Sequence, residues 1–422
     1  MIFLSYDFLL FAAAFFGLYF CCPWPNARLA IVVGGGIVFQ SYYGGLASIA
    51  PVAILAVITY FAGRSEKRGI IRVAIVLCAL SLIFYKYTAF LISSVEPLLF
   101  GAGATVTAAS KSLLPAAIPL GISFFTFEFV HYLTDIQRGS PPIRRLREFL
   151  AFGLFWPTMV AGPIKRYQQF IPAMHLGLFR PTADDAMNGL IRIAIGFGKK
   201  WAADNLTGWI ASVEPHFALQ TIGLRWLFVV ALAFRILLDF SGYSDMAIGY
   251  ARMMGIVVPE NFNWPYLARS PIEFWQKWHI SLSLWIRDYI YIPLGGSRLG
   301  LPRRAVNAFM AMAICGLWHG PSWHFVVWGI YHGVGLSFAA LMQRVLAPAP
   351  PIGFAADVAI GTGSAAAISG KHIASLSISG AARRLGDVIG WTCTMLFVGL
   401  GWLLFFYPVD KALSMAIQLF TR

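Results

Sequence analysis

The chain has 422 residues, of which 59% are hydrophobic and 12% charged, and its formal net charge is +14. A soluble domain carries about 25% charged residues, so this composition excludes a water-soluble globular protein. The basic residues form short clusters between apolar runs, as in the cytoplasmic loops of membrane proteins, and this pattern argues against nucleic-acid binding. Five cysteines without C-x-x-C spacing predict neither a disulfide framework nor a thiolate metal site.

Long uncharged runs predict membrane-spanning helices, because a helix needs about 20 apolar residues to cross a bilayer. Such runs cover 8–27, 29–63, 305–343 and 388–409. The run 29–63 is too long for one helix, and we expect Pro51 to divide it. The predicted fold class is an all-α polytopic membrane protein of about ten transmembrane helices, with no internal repeat and with 1–422 as a single transmembrane domain.

The N-terminal third contains about four predicted helices between 8 and 94, followed by a low-complexity loop at 100–111. In the next helix, Glu128, His131 and Asp135 share one face because they are spaced i, i+3 and i+7. Three aligned polar residues in an apolar helix predict a water-lined cavity or a buried network. For Asp135 we expect a solvated helix end.

A short apolar segment, 149–162, has basic clusters on both sides, including Lys165 and Arg166. Both of its ends are therefore expected on the cytoplasmic side, which predicts a re-entrant or interfacial segment. Irregular backbone at membrane depth requires a surrounding of protein or a water-filled cavity.

Two further helices are predicted at 186–201 and 222–239. Arg235 and Asp239, spaced i, i+4, can form a pair, and Gly242 is expected to break the helix between Asp239 and Asp245. Buried carboxylates near a break must be paired or neutralised. We interpret these residues as bracing a site.

Residues 271–296 predict an amphipathic interfacial helix that ends at Pro293 and Gly295–Gly296. His279 lies on its apolar face, so we expect it to point into the protein. Arg287 and Asp288 lie on the opposite face.

His319 lies within the run 305–343, which contains no Asp, Glu, Lys or Arg. Gly320–Pro321 predicts a helix break directly after it. A polar titratable side chain at membrane depth is costly and indicates a functional site, although a neutral histidine bonded within the bundle is the structural alternative. His324 and His332 share a helical face with Trp328. The segment 348–381 predicts a poorly packed loop or insertion.

Four segments, 119–139, 235–255, 274–298 and 315–333, together resemble the membrane-bound O-acyltransferase (MBOAT) family. The resemblance is greatest to its bacterial branch, which includes proteins of alginate O-acetylation and of teichoic-acid D-alanylation. The most specific motif is FWQKWHISLSLWIRDYIYIPLGGSR at 274–298. The likeness covers most of the chain, apart from 101–114 and 348–381, and Pro321 departs from the alanine that is frequent in alginate-type relatives.

The resemblance implies a bundle of transmembrane helices and re-entrant or interfacial helices around a central tunnel. The tunnel would join a cytoplasmic acyl donor to an acceptor on the outer side. It assigns the catalytic histidine to His319 and the second recurrent histidine to His279. Residues expected to support the site are Asp239, Ser241, Tyr243, Asp245, Arg287, Asp288, Trp318, His332 and Glu128.

The chemistry that the resemblance implies is acyl transfer to a hydroxyl, for which a histidine with an ordinary pKa of about 6.5 is a suitable general base. The expected donor is acetyl-CoA, another acyl-CoA or an acyl-carrier-protein thioester, without a tightly bound cofactor or a metal. Expected partners are the lipid bilayer, an exported polysaccharide and an extracytoplasmic acyltransferase. The expected location is the bacterial inner membrane, with the N-terminus outside and loops 64–72 and 138–147 in the cytoplasm.

Three alternatives remain open from the sequence. The first is transfer of D-alanyl or another acyl group to a cell-wall polymer. The second is a proton-coupled transporter that uses Glu128, His131, Asp239 and His319 as a relay, although transporters commonly show repeated halves. The third is a histidine-ligated metal or haem protein, which no additional ligand spacing supports.

Overall fold

The computed structural model describes residues 2–100, 114–115, 117–179, 181–298, 300–346 and 380–421. Within these ranges the chain forms helices and connecting segments and no β-strand, in agreement with the predicted all-α class. The expected loop at 100–111 and the expected insertion at 348–381 lie outside the described residues, apart from their end residues.

Eight α-helices are described before residue 180, and a π-helical turn, Ile83–Tyr87, joins the fourth to the fifth. Gly45, with a φ of 74°, separates the second helix from the third, whereas Pro51 lies inside the third. The prediction that Pro51 divides the run 29–63 is therefore wrong, because one lost bond near a helix start is tolerated while glycine readily adopts positive φ. The helices are α1 (Tyr6–Cys21), α2 (Pro25–Gly44), α3 (Leu46–Ser65), α4 (Arg68–Leu82), α5 (Thr88–Phe100), α6 (Ile122–Gln137), α7 (Leu146–Gly153) and α8 (Tyr167–Phe179).

Eight more α-helices are described after residue 180, and a second π-helical turn occurs at Arg287–Tyr291. Two of them, α9 and α10, are longer than the sequence predicts. The helices are α9 (Ala183–Val213), α10 (Ile222–Met253), α11 (Pro271–Lys277), α12 (Ile280–Ile286), α13 (Gly300–His319), α14 (Trp323–Leu346), α15 (Gly380–Phe406) and α16 (Val409–Gln418).

Several helices have the length and composition needed to cross a membrane. In the part of the chain that the structure describes, four meet this requirement, namely Leu46–Ser65, Arg68–Glu96, Trp323–Val345 and Arg384–Phe406. They are consistent with a multi-pass membrane protein. The count of about ten crossings stays a prediction.

The segment between α7 and α8 has irregular backbone and lies inside the protein. Its Phe155 and Trp156 are fully buried. The Trp156 indole packs against Phe15 on α1 and Tyr250 on α10, each with ring centroids 5.3 Å away. This enclosure supplies the protein surroundings that irregular backbone would need at membrane depth, and the re-entrant or interfacial placement of the segment stays a prediction.

Glycines allow α9 and α10 to pack closely. A Cβ at Gly196 would lie 2.6 Å from the carbonyl oxygen of Gly242, and one at Gly189 would lie 2.6 Å from that of Gly249. Small residues at such positions let helix backbones approach in membrane proteins. Gly242 therefore permits a close helix crossing, and α10 continues through it without a break.

The crossing predicts that Gly196→Ala lowers the melting temperature of the detergent-purified protein, because the new methyl group overpacks the interface by about 1–3 kcal/mol. Gly198→Ala is the matched control, since no heavy atom would lie within 4 Å of a Cβ there. The control is expected to be neutral or slightly stabilising, because alanine is the better helix former. Equal melting temperatures for the two variants would contradict this account of the packing.

Candidate active site

The predicted helix break after His319 is confirmed. Helix α13 ends at His319, and α14 begins at Trp323. The Gly320 amide closes the last turn by donating to the Leu317 carbonyl over 3.2 Å. His319 thus occupies the end of one helix and faces the space between α13 and its neighbours.

A cavity of ≈ 440 Å³ contains both histidines that the sequence singles out. We call it the histidine cavity. Its wall is largely aromatic and includes Trp318 and Trp328, while Asp239 contributes a carboxylate. Both ring nitrogens of His279 are buried without a hydrogen-bond partner, and His319 has no hydrogen bond among the described residues. Both rings are therefore available to bind a ligand that enters the cavity.

Aromatic rings enclose the His319 imidazole. Its ring centroid lies 5.0 Å from that of Trp318, 5.2 Å from that of Trp328 and 5.3 Å from that of Phe405. A dry, apolar surrounding strengthens electrostatic interactions and slows hydrolysis of a reactive ester. The enclosure fits a neutral imidazole that acts as a base.

His279 has a left-handed backbone conformation, with φ 42° and ψ 54°. It separates α11 from α12, so the single amphipathic helix that the sequence predicts is in fact broken at Trp278–His279. The predicted inward direction of the side chain agrees with the structure, since His279 is buried and its ring lies 4.6 Å from that of Phe240. Non-glycine residues in this conformation cost about 1–3 kcal/mol and cluster at functional sites.

Asn261 holds the backbone on the far side of His279. Its carbonyl accepts from the Ile280 amide at 2.9 Å, and its Oδ1 accepts from the Ser281 hydroxyl at 2.6 Å. Its side-chain amide donates to the Ser244 hydroxyl on α10 at 3.2 Å. These bonds keep the strained turn in place. The sequence analysis missed Asn261, because an asparagine in a loop between helices carries no specific signal.

The charged residues of α10 form different pairs from those predicted. Asp239 pairs with Lys200 of α9 at 2.8 Å, and both line the histidine cavity. Arg235 instead donates to the Thr207 hydroxyl at 3.0 Å. The expected Arg235–Asp239 pair is absent among the described contacts, because the closely packed α9 supplies nearer partners.

The remaining residues of the Asp239–Asp245 motif divide between the cavity and the helix interface. Tyr243 lines the cavity. Asp245 is buried outside it and binds Arg192 and Lys199, each at 2.6 Å. Ser241 is also buried outside the described cavity lining. For Asp245 the structure therefore fits the predicted bracing role.

Glu128 and Asp135 are buried outside the described lining of the histidine cavity, and each has partners of its own. Glu128 forms a buried ion pair with Lys165, whose ammonium lies 5.0 Å from the ring centroid of Phe152. Asp135 is also buried and accepts hydrogen bonds from Gln168 and Tyr289, so the prediction of a solvated helix end is wrong. The ring nitrogens of His131, which shares this helix face, have no hydrogen bond among the described residues, so the three side chains do not form the predicted network. Lys165 is also buried, although its position beside Arg166 in the sequence suggests an exposed basic loop.

Arg287 and Asp288 lie at the second π-helical turn, away from the described lining of the histidine cavity. The Asp288 carboxylate accepts from Arg166 and, at 2.7 Å, from Arg287. Its carbonyl accepts from Arg138 at 3.0 Å, which ties this turn to the basic loop 138–147. These residues connect the turn to that loop.

His332 is buried next to the cavity wall. Its Nδ1 accepts a hydrogen bond from the Trp275 indole at 3.3 Å, and its ring packs 4.8 Å from that of Trp328. Trp318 lines the cavity directly, whereas His332 supports it through Trp328.

A second cavity of ≈ 340 Å³ lies between α11–α12 and α13–α14. We call it the arginine cavity, because Arg287 and Arg304 contribute its basic side chains among mostly apolar ones. Trp275 lines this cavity and Trp328 lines the histidine cavity, and their ring centroids are 5.8 Å apart. This tryptophan pair lies between the two cavities.

The described side chains do not form the single relay that a proton-coupled transporter would require. Of its four expected members, Asp239 and His319 line the histidine cavity, whereas Glu128 and His131 are absent from its described lining. Glu128 is instead neutralised by Lys165.

Comparison with known proteins identifies the family. Residues 143–366 match the membrane-bound O-acyltransferase family. The chain is 36% identical to a probable alginate O-acetylase of Azotobacter vinelandii, over 82% of this chain and 70% of the relative. It is 34% identical to the probable alginate O-acetylase of Pseudomonas aeruginosa, over 96% and 72% respectively. A teichoic acid D-alanyltransferase of Streptococcus thermophilus is 33% identical over 51% of this chain and 55% of the relative.

These matches agree with the resemblance on which the sequence analysis relied. The family and the apolar helices together indicate a multi-pass membrane protein. The chain belongs to the membrane-bound O-acyltransferase family and is an acyltransferase.

Proposed function

We propose that the protein transfers an acetyl group from a cytoplasmic thioester to a hydroxyl of an exported polysaccharide, directly or through an extracytoplasmic partner. The observation that carries this proposal is that His319 and His279 line one largely aromatic cavity and have no hydrogen bond among the described residues. The two relatives named as probable alginate O-acetylases support acetyl transfer to a polysaccharide.

The proposed reaction needs one base at the acceptor. The neutral imidazole of His319 takes the hydroxyl proton as the acceptor oxygen attacks the thioester carbonyl carbon. The carbon–sulfur bond then breaks, and the departing thiolate takes a proton from the imidazolium, which regenerates the neutral base. General-base assistance of this kind contributes about 10²–10⁴ in rate. His279 orients the donor or the acceptor by hydrogen bonding.

The arginine cavity is the proposed donor site. Arg287 and Arg304 can bind the phosphates of coenzyme A or of a carrier-protein arm, since guanidinium groups match phosphate geometry. Along α13, the cavity lining extends from Arg304 to Cys315, a distance of about 16 Å at 1.5 Å per residue. The thioester would pass the Trp275–Trp328 pair to reach the histidine cavity.

The donor side is proposed to face the cytoplasm. Arg138 joins the second π-helical turn to loop 138–147, and Arg144 of that loop pairs with Glu66 of loop 64–72 at 3.0 Å. The two basic loops therefore lie together, and such clusters mark the cytoplasmic side. In this proposal the protein resides in the bacterial inner membrane.

The first prediction concerns His319. His319→Ala should lower acetyl transfer from acetyl-CoA to alginate oligosaccharides by about 10²–10⁴-fold, because the general base is lost. The measurement is thiol release and ester formation by detergent-purified protein, with melting temperatures for each variant. His324→Gln is the matched control. His324 lies next to the same helix break but is absent from the cavity lining, and glutamine can keep its bond to the Leu404 carbonyl.

Wild-type turnover by stably folded His319→Ala would rule out the proposed role. A loss of activity that parallels a loss of melting temperature would instead indicate a structural histidine. Transfer of D-alanine but not of acetyl groups would favour the teichoic-acid alternative.

His279→Gln should retain part of the activity, because glutamine can still form hydrogen bonds while it cannot replace a base. The remaining activity is measured in the same assay as kcat and as KM for the donor and for the acceptor. If His279→Gln is as inactive as His319→Ala while both variants remain folded, the separation between base and orienting residue is wrong.

The orientation predicts that Arg147→Cys reacts with a membrane-impermeant maleimide from the cytoplasmic side, in a cysteine-free background. Arg147 is exposed in the first turn of α7, at the end of the basic segment 138–147. Leu46 is 80% exposed and begins α3, whose other end adjoins the basic loop 64–72. Leu46→Cys should therefore react from the outside. The reversed pattern would overturn the proposed topology.

A further inference from the structure

Lys86 is a charged residue in a helix that otherwise suits the lipid bilayer. Between Arg72 and Glu96 it is the sole charged side chain in the sequence. The helix Arg68–Glu96 is apolar enough to span a membrane, and 11% of its apolar window is buried inside the protein. An ionisable residue within such a segment is expensive, so it requires an explanation.

The contacts of Lys86 converge on the end of α13. Its ammonium donates to the carbonyl of Trp318, the residue immediately before His319. It also lies 3.4 Å from the Ser123 hydroxyl on α6 and 5.5 Å from the centroid of the Trp318 ring. Across residues 2–100 and the other described ranges, no carboxylate pairs with Lys86.

Tyr87 makes the neighbouring contact. Its hydroxyl donates to the Leu317 carbonyl at 2.8 Å. Lys86 and Tyr87 thus bind the two successive carbonyls that precede His319. Both belong to the π-helical turn Ile83–Tyr87, and such turns inside α-helices occur frequently at functional sites.

The end of α13 needs these partners. The last four carbonyls of a helix have no intrahelical donor, and they carry the negative end of the helix dipole. A cation at that end is stabilising, and a hydroxyl can satisfy a second carbonyl. Since Gly320–Pro321 ends α13, Lys86 supplies the Trp318 carbonyl with the donor that a further helical turn would have supplied. Tyr87 adds a second donor to the Leu317 carbonyl, which the Gly320 amide also binds.

We infer that Lys86 and Tyr87 are positioning residues that fix the end of α13 and thereby aim the His319 imidazole at the acceptor hydroxyl. His319 has no hydrogen bond of its own among the described residues, so its orientation depends on its backbone and on the rings packed around it, of which Trp318 is the one that Lys86 contacts. This inference rests on the proposed function of His319. Neither residue is in the described lining of the histidine cavity, so both act through α13.

The test compares four purified variants in the acetyl-CoA and alginate-oligosaccharide assay. Lys86→Met should lower kcat by about 10²-fold, which misplacement of a catalytic group by roughly 1 Å can cause, and leave the KM for acetyl-CoA unchanged. Lys86→Arg keeps the charge and should restore most of the rate. Tyr87→Phe should lower kcat by about tenfold, the equivalent of one hydrogen bond.

Tyr85→Phe is the matched control, because Tyr85 lies in the same π-helical turn and makes no described hydrogen bond to α13. It should behave as wild type. Lys86→Met should change the melting temperature little, because the removal of a charge from a membrane helix offsets the loss of the cation at the end of α13.

Two results would overturn the inference. One is a wild-type kcat in both Lys86→Met and Tyr87→Phe. The other is a fall in kcat that follows a fall in melting temperature and that arginine does not restore, which would indicate a purely structural role. If Lys86→Met folds poorly, Tyr87→Phe alone decides the question. An active His319→Ala variant would reject the proposed function itself. An inactive His319→Ala variant beside a fully active Lys86→Met variant would reject only the positioning role of Lys86.

Discussion

The termination of α13 at His319 is the constraint on which the site depends. Gly320–Pro321 stops the helix. Lys86 then binds the Trp318 carbonyl, and Tyr87 adds a second hydrogen bond to the Leu317 carbonyl, which also accepts from the Gly320 amide. The same break lets α14 turn back so that Trp328 packs 5.2 Å from the His319 ring.

Two buried carboxylates of this protein are paired with basic side chains. Asp245 is paired with Arg192 and Lys199, and Glu128 with Lys165. In contrast, His279 and His319 face a shared cavity and have no hydrogen bond among the described residues. Burying a polar group without a partner is costly, so an unpaired pair of imidazoles in a shared cavity indicates a ligand that binds between them.

The sequence predicted much of this arrangement where a local signal existed. Gly320–Pro321 predicted the end of α13, and the apolar face of residues 271–289 predicted the inward direction of His279. The left-handed turn at His279 was not predictable, because Asn261 stabilises it from outside the motif. Gly242 was misinterpreted because a glycine permits either a break or a close crossing, and its partner Gly196 decides which occurs.

Distant partners account for the other errors. Lys165 lies beside Arg166 in the sequence and looks like part of a basic loop, yet it is buried against Glu128. Lys86 was overlooked because its contacts on α13 lie more than 200 residues away, and its isolation within an apolar helix was the available signal. Asp135 was misplaced because Tyr289, which binds it, follows 154 residues later.

The central claim is that the acyl group reaches His319 from the arginine cavity. The most direct measurement is an experimental structure of the wild-type protein with an acetyl-CoA analogue in which a methylene group replaces the thioester sulfur. The account predicts the phosphates at Arg287 and Arg304 and the acetyl carbonyl between His319 and His279, beyond a displaced Trp275–Trp328 pair. An analogue whose carbonyl is bound away from both histidines would contradict it.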